Sequence, residues 1–122
     1  MIATTEKMHK KSMSRPEETR SFDKGRVDVV TMGSVTFGRM TLQPGWKWSN
    51  CVKPLVNLES SEAPHLAYHI SGRLCIKMDD GTEQEFGPGD ISFIPPGHDA
   101  WVVGSEPVVA VDIAGMREYA KQ

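Results

Sequence analysis

Three side chains that could bind a metal ion are spread along the sequence: Cys51, His65 and His98. Thiolate and imidazole groups are suitable ligands for Zn²⁺, Cu or Fe, and water can fill an open coordination position. We expect the three side chains to point to one end of a β-structure and to form a site there for Zn, Fe, Cu, Mn or Ni. In the alternative no metal is bound, the two histidines are hydrogen-bonded within the protein, and Cys51 packs in the core.

His98 and Asp99 are the predicted catalytic residues. They follow Pro95-Pro96-Gly97, a sequence that ends a strand abruptly, and a rigid scaffold commonly displays functional side chains at such a point. We expect His98 to bind the metal or carry a proton near the mouth of the fold, where its removal would leave the melting temperature nearly unchanged. Asp99 could orient the imidazole or bind substrate, although a turn aspartate commonly bonds its own backbone instead.

Aromatic and basic side chains near these residues could bind a small molecule. Tryptophans could form a wall for a flat or apolar compound, and an inward lysine could bind a carboxylate. His69 lies four residues after His65 and so on the same face of a strand, where it joins the site or packs deeper in the core. In the structural alternative the tryptophans fill the core and the lysine is solvated. The predicted ligand-binding set is Trp46, Trp48, Lys53, His69 and Trp101.

The stretch before His98 is organised as a turn followed by a strand. Gly87-Pro88-Gly89-Asp90 predicts a tight turn, because proline presets one backbone angle and glycine can supply a positive one. The apolar residues 91–94 predict a short buried strand. A rigid unit of the fold therefore presents His98.

Beyond the polar N-terminal part, short alternating runs broken by glycines predict antiparallel strands. Met32-Gly33 and Asp80-Gly81 are the hairpin signals. Residues 46–53 predict a further strand with two tryptophans on one face, residues 54–64 a loop, and residues 116–121 one or two helical turns. About nine short strands predict an all-β, single-domain jelly-roll β-barrel with a short C-terminal helical turn.

Length and composition predict one soluble domain. The chain has 122 residues, 25% charged and 39% hydrophobic, with a formal net charge of -2 and two cysteines. This charge gives no basis for nucleic-acid binding, and two cysteines are too few for a disulfide framework. We expect a flexible N-terminal arm over residues 1–21 and the barrel domain over residues 22–122. Because no apolar membrane segment follows the basic N-terminal residues, we expect a cytoplasmic protein without a membrane partner.

The spacing of glycines and prolines resembles that of the cupins, small jelly-roll barrels whose two motifs usually hold a divalent metal. The second cupin motif is Gly, five residues, Pro-x-Gly, two residues, His, three residues, Asn. Gly89 and Pro95-Pro96-Gly97 match this motif, whereas Ala100 and Gly104 stand at its His and Asn positions. The resemblance implies the cupin fold and a small-molecule site in the barrel mouth.

The first cupin motif is Gly, five residues, His-x-His, three or four residues, Glu, six residues, Gly. Gly45 places Cys51 and Lys53 at the two histidine positions, and His65 stands at the Glu position before Gly72. The chain is therefore similar to a small single-domain cupin whose metal-binding motifs are degenerate.

Two functions are compatible with this resemblance. The first is a metal-dependent enzyme that acts on a small organic substrate, with the metal polarising a substrate oxygen or activating water or O₂. The second is a non-catalytic module that binds or senses a small molecule. Phosphate-loop, dinucleotide and nucleophile-elbow signatures are missing from the sequence. A homodimer is also expected, because pairing would cover open strand edges.

Overall fold

Nine β-strands and two short α-helices form the regular structure of the chain in the computed structural model, which describes residues 7–56, 63–117 and 119–120. The all-β prediction is confirmed. In chain order the elements are β1 (Glu18–Phe22), β2 (Gly25–Met32), β3 (Val35–Leu42), α1 (Trp48–Cys51), α2 (Lys53–Val56), β4 (His65–Ser71), β5 (Arg73–Met78), β6 (Glu83–Phe86), β7 (Ile91–Ile94), β8 (His98–Val103) and β9 (Val108–Asp112).

Two antiparallel sheets form the jelly-roll barrel. The larger sheet has the strand order β1-β2-β3-β9-β4-β7, and the smaller has the order β6-β5-β8. The core lies between them and combines buried residues of the larger sheet, such as Val27 and Ala110, with residues of the smaller one, such as Leu74 and Val102. Side chains alternate between core and solvent along β4, β8 and β9, as expected for strands with one covered face.

Both predicted hairpins are present. Gly33 joins β2 to β3 with a φ of 60°, and Gly81 joins β5 to β6 with a φ of 94°. Residues other than glycine rarely adopt such backbone angles, so the glycines fix the register of both hairpins.

The strand β7 differs from the prediction of a buried strand. Ser92 and Ile94 are buried, whereas Ile91 and Phe93 are 72% and 71% exposed. The reason is that β7 lies at the edge of a sheet with one covered face, so alternate apolar side chains must point outward. The apolar run was therefore not a sign of burial on both faces.

The segment predicted as a strand over residues 46–53 is helical instead. Gly45, with a φ of 90°, turns the chain, and α1 and α2 follow with Pro54 as the second residue of α2. Proline is tolerated there because the backbone N–H groups in the first turn of a helix have no acceptor within the helix, so none is lost. Trp46 and Trp48 are both buried in the core. Of the predicted loop over residues 54–64, residues 57–62 lie outside the described part.

The two ends of the described chain meet. Strand β1 begins at Glu18, within the segment predicted as an arm, and pairs with β2 along its whole length. The buried Arg20 guanidinium donates hydrogen bonds to the backbone carbonyls of Met116 (2.8 Å), Arg117 (2.9 Å) and Tyr119 (2.7 Å). These bonds hold the C-terminal turns against the barrel. Among the described residues, no helix has the length and apolar character needed to cross a membrane.

Candidate functional site

An internal cavity of about 20 Å³, enough for one water molecule, lies between the two sheets. Half of the residues that line it are aliphatic, such as Met40, Leu42 and Ile76. The polar and aromatic side chains that line it come from three strands, β4, β7 and β8, and from segments outside the strands. They are Trp46, Trp48, His65, His69, Ser92, His98 and Tyr119.

His65 and Asp112 form a buried pair at one side of the cavity. His65 is the first residue of β4 and Asp112 the last of β9, and the antiparallel pairing of these strands brings them together. His65 Nδ1 donates a hydrogen bond to Asp112 Oδ2. Asp112 Oδ1 accepts two more, from the backbone N–H groups of Ala114 (2.7 Å) and Gly115 (3.0 Å). In the neutral imidazole, the proton on Nδ1 leaves His65 Nε2 with a lone pair.

His98 lies next to this pair and is fixed by its own turn. Its Nδ1 donates to the Pro95 carbonyl at 2.9 Å, so its Nε2 also keeps a lone pair. Its ring lies edge-on to that of His65, with 5.3 Å between the centroids. Burial, followed by the neighbouring His65, lowers the pKa of His98 and favours the neutral imidazole.

His69 and Ser92 form a second buried pair. Serine Oγ and imidazole Nε2 are 2.8 Å apart, and the His69 ring stacks on Phe86 with 5.4 Å between the centroids. Burial lowers the pKa of His69, an effect that the carboxylates of Asp90 and Asp112 partly offset. This histidine is therefore hydrogen-bonded within the core, and its side chain also lines the cavity.

Tyr119 and Trp46 complete the polar groups of the wall. The Tyr119 ring contacts that of His65, with 5.5 Å between the centroids, and burial raises the pKa of its hydroxyl above the usual range. The phenol therefore stays protonated. Trp46 Nε1 is fully buried and is the one such side-chain atom, among the described residues, that has no hydrogen-bond partner.

The predicted metal ligands are not brought together as a set. His65 and His98 are neighbours, but Cys51 lies in α1 and its thiol points to Asp23, with 3.7 Å between Sγ and Oδ2. Its displacement follows from the helical conformation of a segment predicted as a strand. Across residues 7–56, 63–117 and 119–120, no three His, Cys, Asp or Glu side chains form a group that could hold a metal ion. The predicted set does not fit a metal in this arrangement.

The other predicted site residues divide into two groups. Trp46, Trp48 and His69 line the cavity, as does His98, although His98 is buried rather than placed at an open mouth. It faces inward because β8 begins at His98 and every second residue of that strand points to the core.

Asp99, Lys53 and Trp101 lie outside the cavity wall. Asp99 Oδ1 accepts hydrogen bonds from the backbone N–H groups of Ser49 (3.1 Å) and Ala100 (2.9 Å), a structural arrangement. Lys53 begins α2. Trp101 is half-buried, with the Lys47 ammonium 5.3 Å from its ring centroid.

Sequence analysis did not identify Asp112, Ser92 or Tyr119 as part of a site. A signal for Asp112 exists, because residues 108, 110 and 112 share the core face of β9 and a buried carboxylate needs a partner. The partner could not be deduced, since it lies 47 residues away in the sequence.

Comparisons with solved structures identify the fold. A protein of unknown function from Rhizobium leguminosarum bv. viciae 3841 superposes with a TM-score of 0.64 and 21% identity, covering 90% of this chain and 98% of that one. The polyketide cyclase RemF from Streptomyces resistomycificus gives a TM-score of 0.62 and 16% identity, covering 89% and 80%.

The S161A mutant of Bacillus subtilis oxalate decarboxylase OxdC gives a TM-score of 0.58 and 22% identity. The match covers 84% of this chain and 29% of that one. No protein-family model matches the chain, and no curated protein matches it in sequence. These structural likenesses show that the chain has a cupin-like β-barrel fold.

Proposed function

We propose that this cupin-like barrel is an enzyme that binds a small organic molecule in its internal cavity and uses His65 as a general base. The observation that carries the proposal is the buried pair of His65 and Asp112. Asp112 orients the imidazole through Nδ1 and leaves Nε2 as the proton acceptor, the arrangement by which a carboxylate supports a histidine base.

Each neighbouring group has a distinct part in this proposal. Proton uptake at His65 Nε2 would create an imidazolium beside the buried Asp112, which stabilises it as a charged pair. Tyr119, whose hydroxyl stays protonated, could donate a hydrogen bond to charge that develops on a substrate oxygen. His98, whose pKa is lowered by burial, provides in its neutral form a second acceptor beside the first.

The wall of the cavity limits the substrate class. Aliphatic and aromatic side chains surround a few polar groups, a composition suited to a compact, mostly apolar molecule that carries one oxygen function. A ligand larger than water requires side chains of the wall to move. Met40 is suited to this because its unbranched side chain has several low-energy conformations.

A second candidate is a non-catalytic binding or sensing module. The solved structures that share the fold include enzymes and an 11S allergen from Cocos nucifera, so the fold itself does not select between the two functions. A metal-dependent version of the enzyme would use His65 and His98, whose Nε2 atoms both have lone pairs. Metal analysis of protein purified without an affinity tag tests that version directly.

Ligand screening by NMR tests the proposed function. Protein with ¹⁵N-labelled histidine is mixed with a library of small carbonyl, hydroxy and carboxylic compounds, and binders shift the ring signals of His65 and His98 together. Binders are then incubated in D₂O and followed for exchange of a C–H proton. Exchange that disappears in His65→Gln but not in His9→Gln, a change at an exposed histidine, supports the enzyme. Binding without exchange supports the module, and exchange that persists in His65→Gln contradicts the role of His65.

A further inference from the structure

The unpaired N–H of Trp46 indicates what kind of atom the cavity binds. Trp46 is 2% exposed, and its Nε1 atom is buried without a hydrogen-bond partner. Indole Nε1 is a donor without acceptor capacity, and a buried donor left unpaired loses its hydration with no compensation. The bound group must therefore offer a lone pair.

The same cavity contains two acceptors. Nδ1 of His65 and Nδ1 of His98 both donate to protein oxygens, so Nε2 in each neutral ring is available as an acceptor. A group that pairs with both the Trp46 N–H and Nε2 of either histidine must accept a hydrogen bond from the indole and donate one to the imidazole. A carboxylate cannot donate, and a cation cannot accept from an N–H group. A hydroxyl oxygen does both.

We propose that Trp46, His65 and His98 form a binding site for a neutral hydroxyl oxygen, either that of water or that of a ligand alcohol. The site rests on the proposed function, since it specifies the oxygen group that would anchor the ligand beside the proposed base His65. A volume of about 20 Å³ accommodates one such oxygen, and the site offers the two or more polar partners that a buried water needs.

Water contacts of the indole N–H test this site. In ¹⁵N-edited NOESY and ROESY spectra of the full chain, we expect a Trp46 Hε1 cross-peak at the water frequency with the sign pattern of a bound molecule. Trp46→Phe assigns the signal. Trp101 is half-buried and is the control, because its indole should exchange with bulk water only.

Methanol distinguishes the two sources of the oxygen. A cross-peak from Trp46 Hε1 to the methanol methyl group, with loss of the water peak, shows that an alcohol can occupy the site. A water peak that resists methanol assigns the site to water. If neither peak is seen, or if stoichiometric Zn²⁺ shifts the Trp46, His65 and His98 signals together, the proposal is wrong. Because none of these spectra depends on proton exchange at carbon, failure of this site is distinguishable from failure of the proposed function.

A separate observation concerns the outside of the larger sheet. Of the eight large hydrophobic side chains that are exposed within the described residues, six lie on one surface formed by β4, β7 and the end of β9. We call this surface the outer face. It consists of Leu66, Tyr68, Ile70, Ile91, Phe93 and Ile113.

The outer face is continuous. Leu66 pairs with Phe93 and Tyr68 with Ile91 across adjacent strands, and the Ile113 N–H donates to the Leu66 carbonyl at 3.0 Å. From the exposed fractions, the accessible surface of the six residues is on the order of 600 Å². This area is at the upper end of the roughly 300–600 Å² of the largest apolar patch on a typical monomer, and it approaches the ~800 Å² per partner of a standard interface.

We infer that the outer face binds a second copy of this chain. None of its six side chains is charged, so no like charges would face each other when the same surface of two copies meets in a two-fold symmetric interface. A sheet face with alternating large side chains also packs well against another sheet. This agrees with the homodimer that open strand edges predict, and β7 is such an edge strand.

Sedimentation velocity between about 1 and 100 μM tests the dimer. We expect a dimer for the unmodified chain and at least a tenfold weaker association for Ile91→Lys and Phe93→Lys. Leu55→Lys, at an exposed position in α2, is the control and should leave association unchanged. Circular dichroism confirms that each variant is folded. A monomer at 100 μM, or a dimer that neither lysine weakens, would overturn the inference. Hydroxyl-radical protection of Phe93 in a monomer would instead show that the chain's own residues cover the face.

Discussion

Replacing Asp112 by asparagine should reverse the tautomer of His65. The asparagine Oδ1 can still accept the backbone N–H groups of Ala114 and Gly115, which places its NH₂ group where Asp112 Oδ2 met His65 Nδ1. The NH₂ group donates, so Nδ1 must become the acceptor and the proton moves to Nε2. The Nε2 lone pair, and with it the proposed base, is lost.

The stability cost follows from the bonds that Asp112 accepts. Hydrogen bonds to charged groups contribute about 1.5–3 kcal/mol and neutral ones about 0.5–1.5 kcal/mol, so each of three bonds weakens by roughly 1 kcal/mol. Burying an amide rather than a carboxylate offsets part of this loss. We expect a net decrease of about 1–3 kcal/mol in the free energy of unfolding and a melting temperature lower by roughly 5–15 °C.

Long-range ¹H–¹⁵N spectra of the histidine rings measure the tautomer directly. Unmodified protein should show a protonated Nδ1 in His65, and Asp112→Asn a protonated Nε2. Asp99→Asn is the matched control, because Asp99 also accepts two backbone N–H groups but forms no hydrogen bond to His65 in the described contacts. If His65 keeps its Nδ1 proton in a folded Asp112→Asn protein, the reasoning about the pair is wrong.

Two further predictions concern pH and packing. Burial lowers the folded-state pKa of both His69 and His98. Below about pH 6.5 the unfolded chain therefore binds protons that the folded chain does not. The free energy of unfolding should fall by up to about 1.4 kcal/mol per pH unit for each histidine. The urea midpoint should be lower at pH 5.5 than at pH 7.0 but equal at pH 7.0 and 8.0; an equal or higher midpoint at pH 5.5 would contradict this. Gly38→Ala should destabilise by about 1–3 kcal/mol, because its Cβ would lie 2.1 Å from Cγ of the fully buried Met116. Chemical denaturation measures the loss, which should be much smaller when Gly38→Ala is added to Met116→Gly, because the Cβ of Met116 also lies only 2.6 Å from the added Cβ. An unchanged stability of the single variant would refute the clash.

Local sequence patterns were sufficient for much of the fold. The hairpins at Gly33 and Gly81 depend on a backbone angle that few residues other than glycine adopt, so their positions can be predicted from residue type. The period-two alternation of β4 is visible in the sequence, but residue type alone would place its large apolar side chains in the core. In the structure Leu66, Tyr68 and Ile70 are the exposed ones. The helices α1 and α2 were missed because four residues are about one turn, too short to show a helical period.

The candidate site was less predictable because its contacts are long-range. The spacing of His65 and His69 predicts only that both share one face of β4. Nothing local indicates that Asp112 would meet His65 or that Ser92 would meet His69. Cys51 was assigned to the site through a strand that does not form. The register of β4 against β7 and β9 determines these contacts, and register depends on the whole sheet.

The hydrogen bonds of Arg20 have a consequence for the order in which the protein can assemble during synthesis. They join residues 96 and 99 positions apart, from the first strand to Met116 and Tyr119. The ribosome therefore makes one half of this contact near the start and the other near the end of the described chain. Until Tyr119 has left the ribosome, one wall of the cavity is missing and the apolar interior around His65 is open to water and to other nascent chains. Closure of such long-range contacts is slow, so the nascent barrel should depend on chaperones most strongly until this contact forms.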